Sequence, residues 1–76
     1  VSRAWLRRFP WCGQRGDGRL HTEHSRCAQR GERRRAAVTD HIVALREGGE
    51  RLDPANFQSL CRGCNAAKAI TYSVRR

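Results

Sequence analysis

The sequence predicts a small α+β domain: a strand, a glycine loop, a second short strand and a helix, stapled by a metal and preceded by a basic arm. Three observations predict it. With 76 residues the chain has room for one domain, 1–76. Only 38% of the residues are hydrophobic while four are cysteines. A chain this short buries only about 60% of the surface its unfolded form exposes, so its core needs a staple. Finally, residues 12–35 carry almost no large apolar side chain beyond Leu20, which confines the regular core to residues 36–70 and leaves 1–35 as an arm.

The elements follow in order. Trp5, Leu6 and Phe9 mark one face of a short helix, which Pro10 stops. Residues 12–35, rich in Gly and Arg, read as loop. Within them Cys12-Gly13-Gln14-Arg15-Gly16 is echoed by Cys27-Ala28-Gln29-Arg30-Gly31, so each cysteine opens a tight turn. Ala36–Leu45 is the first strand candidate, carrying β-branched Val38, Thr39, Ile42 and Val43. Glu47-Gly48-Gly49-Glu50 breaks it, and Asp53-Pro54-Ala55-Asn56 is a second turn. Phe57–Leu60 can pair back as the second strand, and Arg62–Ile70 reads as a helix. The longest apolar run, Ile42-Val43-Ala44-Leu45, is too short for a membrane span or for the apolar region of a signal peptide. A chain that starts at Val1 reads as a fragment or an excised domain.

Charge points to a polyanionic partner. There are 16 basic residues against 7 acidic ones, a formal net charge of +9, and Lys68 is the one lysine. Arginine's planar fork matches phosphate oxygens two at a time. Ten arginines fall in residues 1–35, the footprint of a nucleic-acid-binding arm.

Cys61-Arg62-Gly63-Cys64 is a pair whose glycine lets two thiolates face one ion. Cys12 and Cys27 complete the count for a closed, structural Zn²⁺ site. Disulfide bonding, in any of three connectivities, is the alternative, and His21 or His24 offers a substitute ligand. A closed zinc site supplies folding free energy and leaves no open position for chemistry.

Asp40-His41 in the strand candidate is followed by Asn56-Phe57-Gln58-Ser59-Leu60-Cys61-Arg62-Gly63-Cys64-Asn65 and then by Lys68. In this combination the chain resembles the HNH endonuclease family, whose core is the ββα-metal (His-Me finger) fold. The resemblance covers residues 12–68 and is closest to small bacterial and phage members with a four-cysteine zinc site. Asn65 stands where many relatives have histidine, the HNN variant, and Cys12 and Cys27 are more widely spaced than the usual first pair. The resemblance implies a DNA endonuclease of low sequence specificity in the cytoplasm of a bacterial or phage-infected cell. It implies no membrane partner, and it admits protein partners such as those of phage packaging. His41 is the implied general base and Asn56 braces its loop. Asp40 and Asn65 are implied ligands of a catalytic Mg²⁺ or Mn²⁺.

Residue chemistry agrees with these roles. Histidine, with an ordinary pKa of about 6.5, is available as a neutral base near neutral pH. Carboxylate and amide oxygens are hard donors suited to Mg²⁺ or Mn²⁺. Lys68, Arg33, Arg34, Arg35 and Arg62 are candidate phosphate contacts. One point of geometry resists the scheme: neighbours in a regular strand face opposite ways, so Asp40 and His41 share a site only where the strand twists or ends. The competing readings are a non-catalytic zinc module that binds nucleic acid, and a secreted, disulfide-bonded cationic miniprotein.

Overall fold

The computed structural model describes residues 2–74. The chain opens with helix α1, Ser2–Arg8. Its apolar face holds Trp5 against Phe9, with ring centroids 4.4 Å apart, and against the edge of Phe57 at 5.3 Å. Pro10 follows and the helix ends, as the spacing predicts.

Residues 12–35 are more ordered than their composition suggests. Ser25 caps a single helical turn, α2 (Arg26–Gln29), by accepting from the Ala28 amide at 3.0 Å. Before it, the chain turns at Gly13, whose positive φ of 99° suits glycine alone. A side chain at Gly13 would also meet the His21 carbonyl and Ser25. The turn lays Gln14 and Arg15 along the central strand: the Gly13 amide donates to the Ser59 carbonyl, and the Ser59 amide to that of Gln14.

That central strand is β2, Phe57–Leu60. Its other edge pairs antiparallel with β1, Val38–His41, in the register Val38 with Leu60, Thr39 with Ser59, Asp40 with Gln58 and His41 with Phe57. Flanked on both edges, all four residues of β2 are buried. β1 is shorter than the Ala36–Leu45 candidate, and the reason is Asn56. Its carbonyl takes the Ile42 amide and its side-chain oxygen takes the Val43 amide, drawing both β-branched residues off the ladder. Two single 3₁₀ turns, 45–47 and 54–56, occupy the connection.

Helix α3, Arg62–Val74, packs on β1 and β2 and runs beyond the expected Ile70, since no glycine or proline stops it there. The fold is therefore a small α+β unit with two antiparallel strands backed by a helix. Its buried cluster is Leu60 with Cys12, Cys27 and Cys64, joined at the edge by Val38 and Cys61. Among the described residues no helix is long and apolar enough to cross a membrane.

Candidate functional site

Four sulfurs meet at one end of the β-hairpin. Cys12 follows α1, Cys27 sits on α2, and Cys61 and Cys64 flank the start of α3, yet their Sγ atoms all lie within 4.8 Å of one another. Thiolates about 2.3 Å from a tetrahedral zinc stand about 3.8 Å apart. Cys27 Sγ is 3.9 Å from Cys61 Sγ and 4.0 Å from Cys64 Sγ. All four are free thiols, so the cluster could hold a metal and is not a pair of disulfides. His21 and His24 take no part in it.

The thiols differ in acidity. Burial pushes Cys12 up to about 12, although Ser25 Oγ stands 3.1 Å from its sulfur. Burial also raises Cys27. Cys64 feels the same burial, its largest single influence, but the backbone N–H groups of Cys27 and Arg26, at the start of α2, together with hydrogen bonds from the Cys61 and Cys12 thiols, bring it down to about 7. Arg34 bonds to the Cys27 sulfur, which raises its own pKa further. With Arg26, Arg30, Arg35 and Arg62 it rims an open cleft of about 570 Å³ over the thiols. Arg33 and Arg35 lie over Trp11, with guanidinium carbons 5.5 and 5.6 Å from the ring centroid.

The second group of polar residues lies at the other end of β1. Asp40 and His41 do face opposite ways, as strand alternation requires. Asp40 points toward its cross-strand partner Gln58 and toward α3. Its Oδ2 accepts from Gln58 Nε2 at 3.0 Å and pairs with Lys68 Nζ at 3.1 Å. Lys68, expected at a phosphate, is instead 7% exposed and also donates to the His41 carbonyl at 3.0 Å.

His41 is the last residue of β1, and its ring stands edge-on to Phe57 with centroids 5.6 Å apart. Its Nε2 lies 2.9 Å from the Arg51 carbonyl. Asn56 spans the intervening loop: Oδ1 takes the Val43 amide at 2.8 Å, while Nδ2 donates to the carbonyls of Val43 and Glu50 at 3.0 and 2.9 Å. Asn65 is half-buried in the first turns of α3, one position beyond Cys64 and three before Lys68.

Gln58, Arg15 and His24 join this group without having been expected there. Gln58 is 1% exposed and spends every polar atom of its amide. Its Oε1 accepts from Arg15 Nε and Nη2, both at 3.3 Å, and its Nε2 donates to His24 Nδ1 at 3.0 Å as well as to Asp40. A guanidinium only donates, so the amide has one permitted orientation. The available signal was register: pairing Asp40 opposite Gln58 places a polar side chain beside the carboxylate.

A sequence model described as HNH endonuclease matches residues 25–69. No curated protein and no solved structure matches.

Proposed function

The chain belongs to the HNH endonuclease family, and from that membership we propose that it is a metal-dependent endonuclease hydrolysing DNA phosphodiester bonds. One observation carries the reading, the tautomer imposed on His41. A carbonyl only accepts, so the bond to Arg51 requires the proton to sit on Nε2. Nδ1 keeps its lone pair and, among the described residues, has no hydrogen-bond partner. There it can take the proton of a water attacking phosphorus in line. Phe57 fixes the ring from one side, and Asn56 ties down the loop that leads to Arg51.

Although Asp40 and His41 face opposite ways, His41 is the last residue of β1, so both would border one phosphate at the strand's end. There Asp40 and Asn65 would hold the divalent ion. Their oxygens are hard donors suited to Mg²⁺ or Mn²⁺, and Asp40 already takes a cationic partner at Oδ2. Such an ion, when bound, supplies charge stabilisation for the phosphate and for the 3′ leaving oxygen. The products would be 5′-phosphate and 3′-hydroxyl ends. Cys12, Cys27, Cys61 and Cys64 would hold a structural zinc, whose tetrahedron their sulfur spacings fit. Arg33, Arg34, Arg35 and Arg62 would grip the DNA backbone, contacts that position the strand without reading its sequence.

Plasmid nicking with Mg²⁺ or Mn²⁺, compared between the wild type and His41→Ala, tests the proposal. The variant should retain its zinc and lose about 10²–10⁴-fold in rate, the usual contribution of a general base. Equal rates would remove His41 from that role. A non-catalytic, nucleic-acid-binding zinc module is the second reading, favoured by the neutralisation of Asp40 within the fold. DNA binding without cleavage under any divalent ion would select it.

A further inference from the structure

The Lys68–Asp40 pair lies where the proposed function needs a divalent ion, and the inference that follows rests on that reading. We propose that the Lys68 ammonium is a resident counter-ion that the divalent ion must displace, so that loading the site is an exchange of cations.

The geometry supplies the argument. Lys68 Nζ stands 3.1 Å from Asp40 Oδ2, and the side chains are 7% and 19% exposed. A Mg²⁺ ion on the same carboxylate would sit about 2.0–2.1 Å from its oxygen. Two cations so close, screened by little water, repel each other strongly. The carboxylate itself is held independently of the lysine. Gln58 donates to it, and Gln58 is in turn fixed by Arg15 and His24. Withdrawing the ammonium therefore leaves an oriented ligand in place.

The lysine also has somewhere to go. Its stem lines an open cleft of about 340 Å³ together with Glu23, His24 and Arg26. Glu23, 63% exposed, pairs with Arg15 through Oε1 at 2.9 Å and keeps its second carboxylate oxygen, Oε2, on that side, 3.8 Å from His24 Nε2. A flexible four-carbon stem and a point charge suit such a move better than a guanidinium fork would. In the alternative arrangement Lys68 stays on Asp40 and orients it for the ion, and its removal then fails to tighten binding.

Lys68 is the one lysine in the chain, which makes the exchange directly readable. Two measurements on the zinc-loaded chain, without DNA, test it. The first is Mn²⁺ affinity, from the electron paramagnetic resonance of free Mn²⁺, for the wild type and Lys68→Met. Binding at least fivefold tighter in the variant is expected, and equal or weaker binding overturns the exchange. The second needs no variant and decides the matter if Lys68→Met does not fold. Acylation of Lys68 by an amine-reactive ester, followed by peptide mass spectrometry, should accelerate several-fold when Mn²⁺ is added. A rate that is unchanged or slowed overturns the proposal. Cleavage and Mn²⁺ binding by the wild type, with neither effect, would remove the exchange alone. No Mn²⁺ binding and no cleavage would remove the endonuclease reading with it.

Discussion

His24 is a half-buried base in the polar group beneath Asp40. Its Nδ1 accepts from Gln58, which is the behaviour of a neutral ring. Burial holds its pKa below the ordinary 6.5, and the positive charges of Lys68 and Arg15 act in the same direction. The Glu23 carboxylate, 3.8 Å from Nε2, and the bond from Gln58 oppose the shift without cancelling it. A base with a lowered folded pKa takes up its proton more readily when unfolded. Its stabilising effect is therefore complete above about 6.5 and is lost as the pH falls from there through the folded value. The wild type should lose stability on acidification below 6.5 more steeply than His24→Asn, which keeps an acceptor but cannot titrate. The difference in slope is bounded at about 1.4 kcal/mol per pH unit, one proton's worth, and urea melts at a series of pH values measure it. Parallel profiles would refute the assignment. Residues of this kind were hard to read from the chain. In the sequence His24 reads only as a substitute zinc ligand, because its actual partner, Gln58, is 34 positions away. Lys68 looked like a phosphate contact because nothing in its neighbourhood announced Asp40.

At the scale of elements, local chemistry decided what was legible. The Cys61–Cys64 spacing, the turn at Asp53-Pro54 and the short strand Phe57–Leu60 carry their own signals, and the structure has the turn and strand in those places. The first strand is shorter than the sequence suggests because Ile42 and Val43 favour extended backbone, while Asn56 captures their amides, that of Ile42 with its carbonyl and that of Val43 with its side-chain oxygen. α2 was missed because it is one turn long, although its cap, Ser25, and the positive-φ Gly31 that follows it stood in the sequence. The loop between the strands depends on two glycines for different reasons. Gly48 has a φ of 88° and open space around it, so Gly48→Ala meets only the left-handed strain of about 1–2 kcal/mol. Gly49 has an ordinary φ, but a Cβ there would overlap the Val43 carbonyl and come within 3.0 Å of the Ala44 oxygen. The backbone of 43–44 must shift to admit it, and Val43 is the residue Asn56 holds by both its amide and its carbonyl. Gly49→Ala should therefore lower the melting temperature more than Gly48→Ala, and should also slow DNA cleavage as the loop presenting Arg51 to His41 moves. Thermal melts of the two variants, with plasmid nicking alongside, measure the ranking. The reverse order would mean that the loop bends freely and that Asn56 does not brace it.

The whole molecule is organised around sulfur more than around hydrocarbon. Its radius of gyration, 11.5 Å, is that of a folded chain of this length, for which about 11.4 Å is expected. Yet the cluster at its centre holds one large aliphatic side chain, Leu60, among three buried cysteines, with Val38 and Cys61 at its margin. The second apolar group, Trp5, Phe9 and Phe57, fastens α1 to the central strand on the other side. The aromatic group does not reach from α2 to α3; the sulfur cluster does, since Cys27 stands on one and Cys64 on the other. A structural zinc binds such ligand sets with about 10–16 kcal/mol, as much as the whole stability of an ordinary domain, about 5–15 kcal/mol. Removing zinc with a chelator at neutral pH should therefore abolish the cooperative melt and the near-ultraviolet circular dichroism of Trp5 and Trp11, and one equivalent of Zn²⁺ should restore both. Cys61→Ser should behave as the stripped chain does even with zinc present, because one lost thiolate opens the tetrahedron at the junction of β2 and α3. A stripped chain that still melts cooperatively would show that the aromatic group and the β-hairpin suffice, and that the four thiols are not the staple.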